Sequence, residues 1–194
     1  MTRIFFTLAV FSLLLMAAAA VLGWGIGDLR ALPSNPDTLR WATVHRLTGV
    51  AAALAVVFVH SIVVTYFVGT SRWCKEVVQT YRLDPALVRE SAQIKRRAFP
   101  WSLGGMLLVV GIGALGAASD PATGRAGTEN WTIVHFISAI GGLALIAWSY
   151  VASWNAIESN QRVIDRVVEA VRQIREARGL DVEPADKETA GTTS

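Results

Sequence analysis

The run Trp41-Ala-Thr-Val-His45-Arg-Leu-Thr-Gly-Val-Ala-Ala52 has a partner ninety residues on, Trp131-Thr-Ile-Val-His135-Phe-Ile-Ser-Ala-Ile-Gly-Gly142. Hydroxyl matches hydroxyl at Thr48 and Ser138, and small matches small at Gly49 and Ala139 and at Ala52 and Gly142. In each copy a tryptophan stands where a long apolar stretch begins, and a histidine follows one helical turn deeper. Two imidazoles are therefore expected at equal depth in a membrane.

Composition points the same way. Hydrophobic residues make up 53% of the 194 positions and charged residues 17%, with seven tryptophans. A soluble domain of this length rarely has such a balance. Crossing a hydrocarbon core of roughly 30 Å takes about 20 helical residues, and four segments supply them, near Ile4–Gly27, Trp41–Val68, Trp101–Ala118 and Trp131–Trp154. The first also looks like a secretory signal, with Arg3 ahead of an apolar run and Ala17 to Ala20 after it. Its apolar run outlasts the roughly 7–15 residues of a signal core, so it is read as a retained span.

Basic residues set the expected orientation. Arg72, Lys75, Arg82, Arg89, Lys95, Arg96 and Arg97 all fall in the loop 69–100 after the second span, which the positive-inside rule assigns to the cytoplasm. Both termini then share that side, a bacterial inner membrane is the expected location, and both histidine copies begin at the outer surface. The fold expected is an all-α membrane protein of four transmembrane helices over 1–154, built as a duplicated helical hairpin about an axis along the membrane normal. Cytoplasmic helical extensions follow: a short helix capped by Ser71, a second opened by Asp84-Pro85, and an amphipathic helix over 155–179 with an apolar stripe of Ile157, Ile164, Val167, Val168, Val171 and Ile174. The tail over 180–194 is polar and expected to be disordered. Lys95, Arg96 and Arg97 are expected to meet anionic lipid, and nothing suggests a nucleic-acid partner.

A pseudo-twofold axis would turn His45 and His135 toward each other, which is what a haem iron needs of two axial ligands. Ionisable side chains are costly inside a membrane and by default mark a function. The positions in step with them, Gly49 and Ala52 on one helix and Ala139 and Gly142 on the other, are small enough to admit a flat macrocycle. Small residues also let helices pack closely with no cofactor, so that reading stays open. Arg46, with Arg40 and Arg125 near the same surface, suits haem propionates, although interfacial arginines also simply reach for water.

His60 lies fifteen residues past His45, about 22 Å deeper on roughly the same face. Its counterpart in the second copy is Tyr150, so a second bis-histidine site has no partner in this chain. The two would either hydrogen-bond each other or line a quinone or proton site near the inner surface. Cys74 is the only cysteine, which excludes covalent haem attachment, cysteine-held clusters and internal disulfides. No phosphate loop, serine-hydrolase motif or zinc-protease motif occurs.

On His45 and His135 at matched depth, their small neighbours and four spans, the membrane portion resembles four-helix cytochrome b subunits such as the anchors of succinate dehydrogenases. The resemblance is architectural and implies a non-catalytic, haem-b electron-transfer subunit between quinone and a partner within a larger complex. Only His45 and His135 carry over as ligands. The alternative is an accessory subunit of a respiratory or photosynthetic complex, its histidines structural or each binding a (bacterio)chlorophyll. A small transporter is disfavoured by the lack of acidic residues in the spans.

Overall fold

The computed structural model describes residues 2–26, 35–124, 127–128 and 130–180, and among these it is all helical. Four long helices, α1 (Thr2–Gly25), α2 (Pro36–Tyr81), α3 (Ala86–Ser119) and α4 (Trp131–Ala177), are joined by short connections, one of them containing a single 3-10 turn at Pro121–Thr123. Each contains a stretch long and apolar enough to cross a membrane, which makes the chain an integral membrane protein. The tail expected to be disordered falls, from 181 onward, outside the described residues, as does Arg125.

Local chemistry fixes where the helices begin and end. Asn35 caps α2, its side chain accepting from the backbone N–H groups of Asp37 at 3.0 Å and Thr38 at 3.2 Å, and Pro36 occupies the first turn, where no N–H is needed. At the other end Arg82 takes a left-handed conformation (φ 54°) and its N–H returns to Val78. The Asp84 carboxylate accepts from Ala86 N at 2.8 Å and opens α3.

The segment 69–100 is not a loop carrying separate helices. α2 continues unbroken from the apolar span through Tyr81, and α3 runs from Ala86 through Pro100 into its own span. Ser71 is therefore no helix cap: it sits in mid-helix, its hydroxyl buried. Nothing in 69–81 removes a backbone donor, so an established helix simply propagates. Lys95, Arg96 and Arg97 likewise do not end a helix but stand one turn before Pro100 within α3.

Consecutive helices pack as antiparallel hairpins, α2 lies against α3, α1 against α4, and α2 also meets α4 across the diagonal. The core is narrow, with Phe5, Val56, Val63, Phe67, Ile146 and Ile157 fully buried, while Ile4, Phe11, Leu14, Leu54 and Leu107 face outward, as lipid contact permits. The burial pattern repeats along the chain. That of residues 41–60 returns at 131–150 at every position except 42/132 and 55/145. Phe5, Ala9, Ser12 and Met16 of α1 are buried, and so are Ala98, Ser102, Gly105 and Val109 of α3 at the same spacing.

Beyond the apolar spans α2, α3 and α4 continue as a three-helix stalk whose small core is Cys74, Val78, Val163 and Val167, flanked by Leu83, Leu87 and Val88. Burial pushes the Cys74 thiol up from its ordinary range. Of the expected apolar stripe, Ile157 and Val167 are buried but Val168 is exposed, and Asn160 and Val163 take inward places instead. The stripe is thus spent within the chain, on α2 and α3. Asn160 ties the three helices at the stalk's base: its Oδ1 accepts from Ser91 at 3.0 Å and its amide donates to Thr70 at 3.0 Å and Tyr66 at 3.2 Å. Replacing Asn160 with Leu leaves the buried Ser91 hydroxyl without this partner and removes the amide's bonds to Thr70 and Tyr66, and should cost about 2–3 kcal/mol, read as a lower unfolding midpoint in detergent.

Candidate functional site

His45 and His135 meet across the α2–α4 diagonal, their ring centroids 6.3 Å apart and their planes at 74°. Each ring is held from behind by the helix preceding its own. His45 Nδ1 lies 2.9 Å from the carbonyl oxygen of Ala19 in α1, and His135 Nδ1 lies 3.2 Å from that of Ile112 in α3. A carbonyl can only accept, so both rings carry their proton on Nδ1. Among the described residues neither Nε2 has a hydrogen-bond partner.

Glycine makes these placements possible. A Cβ on Gly23, four residues after Ala19, would stand 2.9 Å from His45 Cε1, and one on Gly116, four residues after Ile112, would stand 2.9 Å from His135 Cε1. The two imidazoles lie directly on glycine backbone at equivalent points of α1 and α3. Sequence reading missed this pair. The signal was present, a glycine about twenty residues before each histidine, but hidden because Gly23 precedes its histidine by 22 residues and Gly116 by 19. The hairpin connections differ in length by three, so the ninety-residue offset that aligns α2 with α4 throws α1 and α3 out of register.

The other expected neighbours divide. Ala52 is buried in the core, while Gly49 and Ala139 are half-buried beside their histidines, and a Cβ on Gly49 would meet nothing within 4 Å. Gly142 is already covered, because the side chain of Ile112 lies against it. Its smallness serves packing between α3 and α4. Arg46 pairs with Asp120 at 2.6 Å and 3.2 Å, while Asp120 also accepts from Ala122 N at 2.9 Å, so this guanidinium ties α2 to the turn after α3. Trp24 and Phe136 stack at 5.4 Å between α1 and α4 at the same end.

Deeper in the bundle His60 and Tyr150 are neighbours, centroids 4.9 Å apart, but they do not hydrogen-bond each other. Tyr150 reaches across to Ser12 of α1 at 2.8 Å, and His60 Nε2 lies 3.2 Å from Ser149 of α4. Each serine gives its own proton to a carbonyl three residues back, Ser12 to Ala9 at 3.0 Å and Ser149 to Ile146 at 2.7 Å. With the serine protons so placed, Tyr150 and His60 are the donors, and His60 Nδ1 is buried without a partner among the described residues. The His60 ring lies against Gly105 of α3, where any side chain would collide with Nε2. The two rings face opposite hairpins because α1 offers a serine where α3 offers a glycine.

Comparison with protein-family models, with curated proteins and with solved structures returns no match. The site is accordingly read from its own geometry.

The glycine cradles make a testable contrast. Gly116→Val or Gly23→Val should displace the imidazole, break its Nδ1 hydrogen bond and cost about 1–3 kcal/mol. Gly111, where a Cβ meets nothing within 4 Å, should accept Ala and stabilise the helix by up to about 1 kcal/mol. Nitrogen-15 histidine NMR of the purified protein should report Nδ1–H rings at both positions in the wild type, and lose one in each valine variant.

Proposed function

We propose that His45 and His135 are the axial ligands of one haem b and that the chain is an electron-transfer subunit of a larger membrane complex. The ring separation carries this reading. A metal–imidazole bond is about 2 Å and a ring nitrogen lies about 1.1 Å from its centroid, so two rings sharing one metal have centroids about 6 Å apart. The pair stands at 6.3 Å, and no group of three metal-ligating side chains occurs among the described residues. Metal-binding histidines generally donate their second nitrogen to a carbonyl or carboxylate, and Ala19 and Ile112 supply such carbonyls here.

The matched histidines, their matched glycines and the recurring burial pattern support an origin by duplication of a helical hairpin, α1–α2 and α3–α4, about an axis along the membrane normal. In that arrangement Gly49, where a Cβ would meet nothing within 4 Å, leaves room on α2 one turn from His45. Haem iron supplies the one-electron chemistry when bound. The protein's part is to hold both imidazoles in the Nδ1–H tautomer, fix their planes through Ala19 and Ile112, and surround them with low-dielectric helix. With Arg46 engaged by Asp120, a propionate partner is better sought in Arg40.

The clustered basic residues of the stalk support a cytoplasmic location for it and for both termini, with the histidine pair toward the outer face of a bacterial inner membrane. One haem at that depth serves a donor or acceptor on the outer side. Lys95, Arg96 and Arg97 lie where anionic headgroups are expected, and Arg97 also lines a polar cleft of about 720 Å³ with Glu90, Arg162 and Arg166. The stalk and the unpaired lipid-facing helix surfaces are the available contacts for other subunits.

The purified protein should give a pyridine haemochrome of the b type, and His45→Ala or His135→Ala should each abolish the reduced absorption bands. Bands that survive both substitutions remove this pair as ligands, and extraction of a magnesium pigment instead favours the accessory, chlorophyll-binding role. Because the rings stand at 74°, the ferric protein should show the strongly anisotropic low-spin paramagnetic signal of crossed imidazole planes.

A further inference from the structure

Between α3 and α4, where the stalk leaves the apolar spans, runs the cleft of about 720 Å³ whose walls include Glu90 and Arg97 of α3 and Ser159, Arg162, Asp165 and Arg166 of α4. The two helices are antiparallel, so the ends of the cleft differ. Arg97 stands one turn before Pro100 and Trp101, where the apolar span of α3 begins, and Ser159 follows Trp154 by five residues. Arg162, then Asp165 and Arg166, lie progressively farther from the membrane. At the far end the Arg166 guanidinium meets the Glu90 carboxylate at 2.6 Å and joins the two helices.

The charges between the ends are not spent on each other. Arg162 and Asp165 have the i, i+3 spacing at which opposite charges on a helix ordinarily interact. Instead the Arg162 guanidinium turns back toward the membrane, to Ser159 Oγ at 3.0 Å, and Asp165 takes its hydrogen bond from Gln161 at 3.0 Å. Among the described residues neither Arg97 nor Arg162 has a carboxylate partner, and Asp165 has no cation. The cleft therefore presents two guanidiniums nearest the membrane and a carboxylate one turn beyond, about 4.5 Å farther along α4. A purely anionic ligand would answer the first and be repelled by the second.

We propose that this cleft binds the headgroup of a phosphatidylethanolamine, its phosphate between Arg97 and Arg162 and its ammonium at Asp165. A lipid seated in the adjoining leaflet presents its groups in that order, the phosphate first and the amine one two-carbon bridge farther out. Guanidinium forks suit a phosphate. A primary ammonium brings three N–H donors to a carboxylate that otherwise accepts only from Gln161. Glu90 is not the amine's partner, because Arg166 already neutralises it. Lys95 and Arg96 do not line the cleft, so their attraction for anionic lipid is a separate matter. The inference uses only where α3 and α4 leave their apolar spans and is independent of haem ligation.

The test uses the full chain in a non-ionic detergent, titrated with short-chain phosphatidylethanolamine, phosphatidylglycerol or phosphatidylcholine and followed by phosphorus-31 NMR. Saturable binding of phosphatidylethanolamine is expected, about five-fold tighter than that of phosphatidylglycerol, which lacks the cation, or of phosphatidylcholine, whose methylated amine has no N–H to donate. Asp165→Asn should erase the preference over phosphatidylglycerol, and Asp165→Lys should reverse it. Arg97→Gln and Arg162→Gln should each weaken both lipids alike, about five-fold. All four positions changed or compared here are exposed, so the unfolding midpoint should hold. No saturable binding to the wild type, tighter binding of phosphatidylglycerol than of phosphatidylethanolamine, or a preference unchanged by Asp165→Asn overturns the proposal. Inorganic phosphate binding as tightly as the lipid also overturns it, and makes the cleft a site for soluble phosphates. None of these readouts involves haem, so the b-type spectrum and the lipid preference stand or fall separately.

Discussion

The arrangement depends on an imidazole lying flat on glycine backbone and donating from Nδ1 to a carbonyl one turn away, made once between α1 and α2 and again between α3 and α4. A ring on a helix surface normally has several rotamers and two tautomers. Here the carbonyl selects the tautomer and the missing Cβ lets the ring come close enough to be held. Because both hairpins use the same device at the same depth, the two rings meet without any direct bond between them. In a bilayer such a fixed pair is unusual, since polar groups there are satisfied internally or not tolerated.

The two polar layers of the bundle are built on one plan and used differently. At the end bearing His45 and His135, each ring turns to its own hairpin and leaves Nε2 free. In the deeper layer Tyr150 and His60 turn to the opposite hairpin or to α4, and each gives its proton to a serine that passes one on to a carbonyl. The first layer leaves both Nε2 atoms without a hydrogen-bond partner among the described residues. The second binds its rings to buried serines, Tyr150 to Ser12 and His60 to Ser149.

Much of this was legible in the amino-acid order. Trp41 and His45 against Trp131 and His135 located the repeat, and apolar length alone identified the four spans. The continuity of the stalk was misread, because Ser71 and the charges at Arg72 and Lys75 suggested a new helix where propagation carries α2 unbroken to Tyr81. Val168 was misplaced for a related reason: both Val167 and Val168 fit a helical stripe, and only the positions of α2 and α3 decide which of two adjacent valines turns inward. The glycines under the histidines escaped notice because connections of unequal length shifted one helix of each pair against the other. Arg46 was matched to an anionic group, but the partner the structure provides, Asp120, lies seventy-four residues away.

Sequence by itself determined that four helices cross a membrane and that two histidines lie at one depth, since hydrophobic length and helical rise depend only on residues adjacent in the chain. What each imidazole touches, which nitrogen carries the proton, and whether a small residue admits a ligand or a neighbouring side chain were decided by tertiary structure alone. Gly49 and Gly142 are equally small; one stands open and the other is covered by Ile112. That difference arises from the packing of separate helices, and no local pattern encodes it.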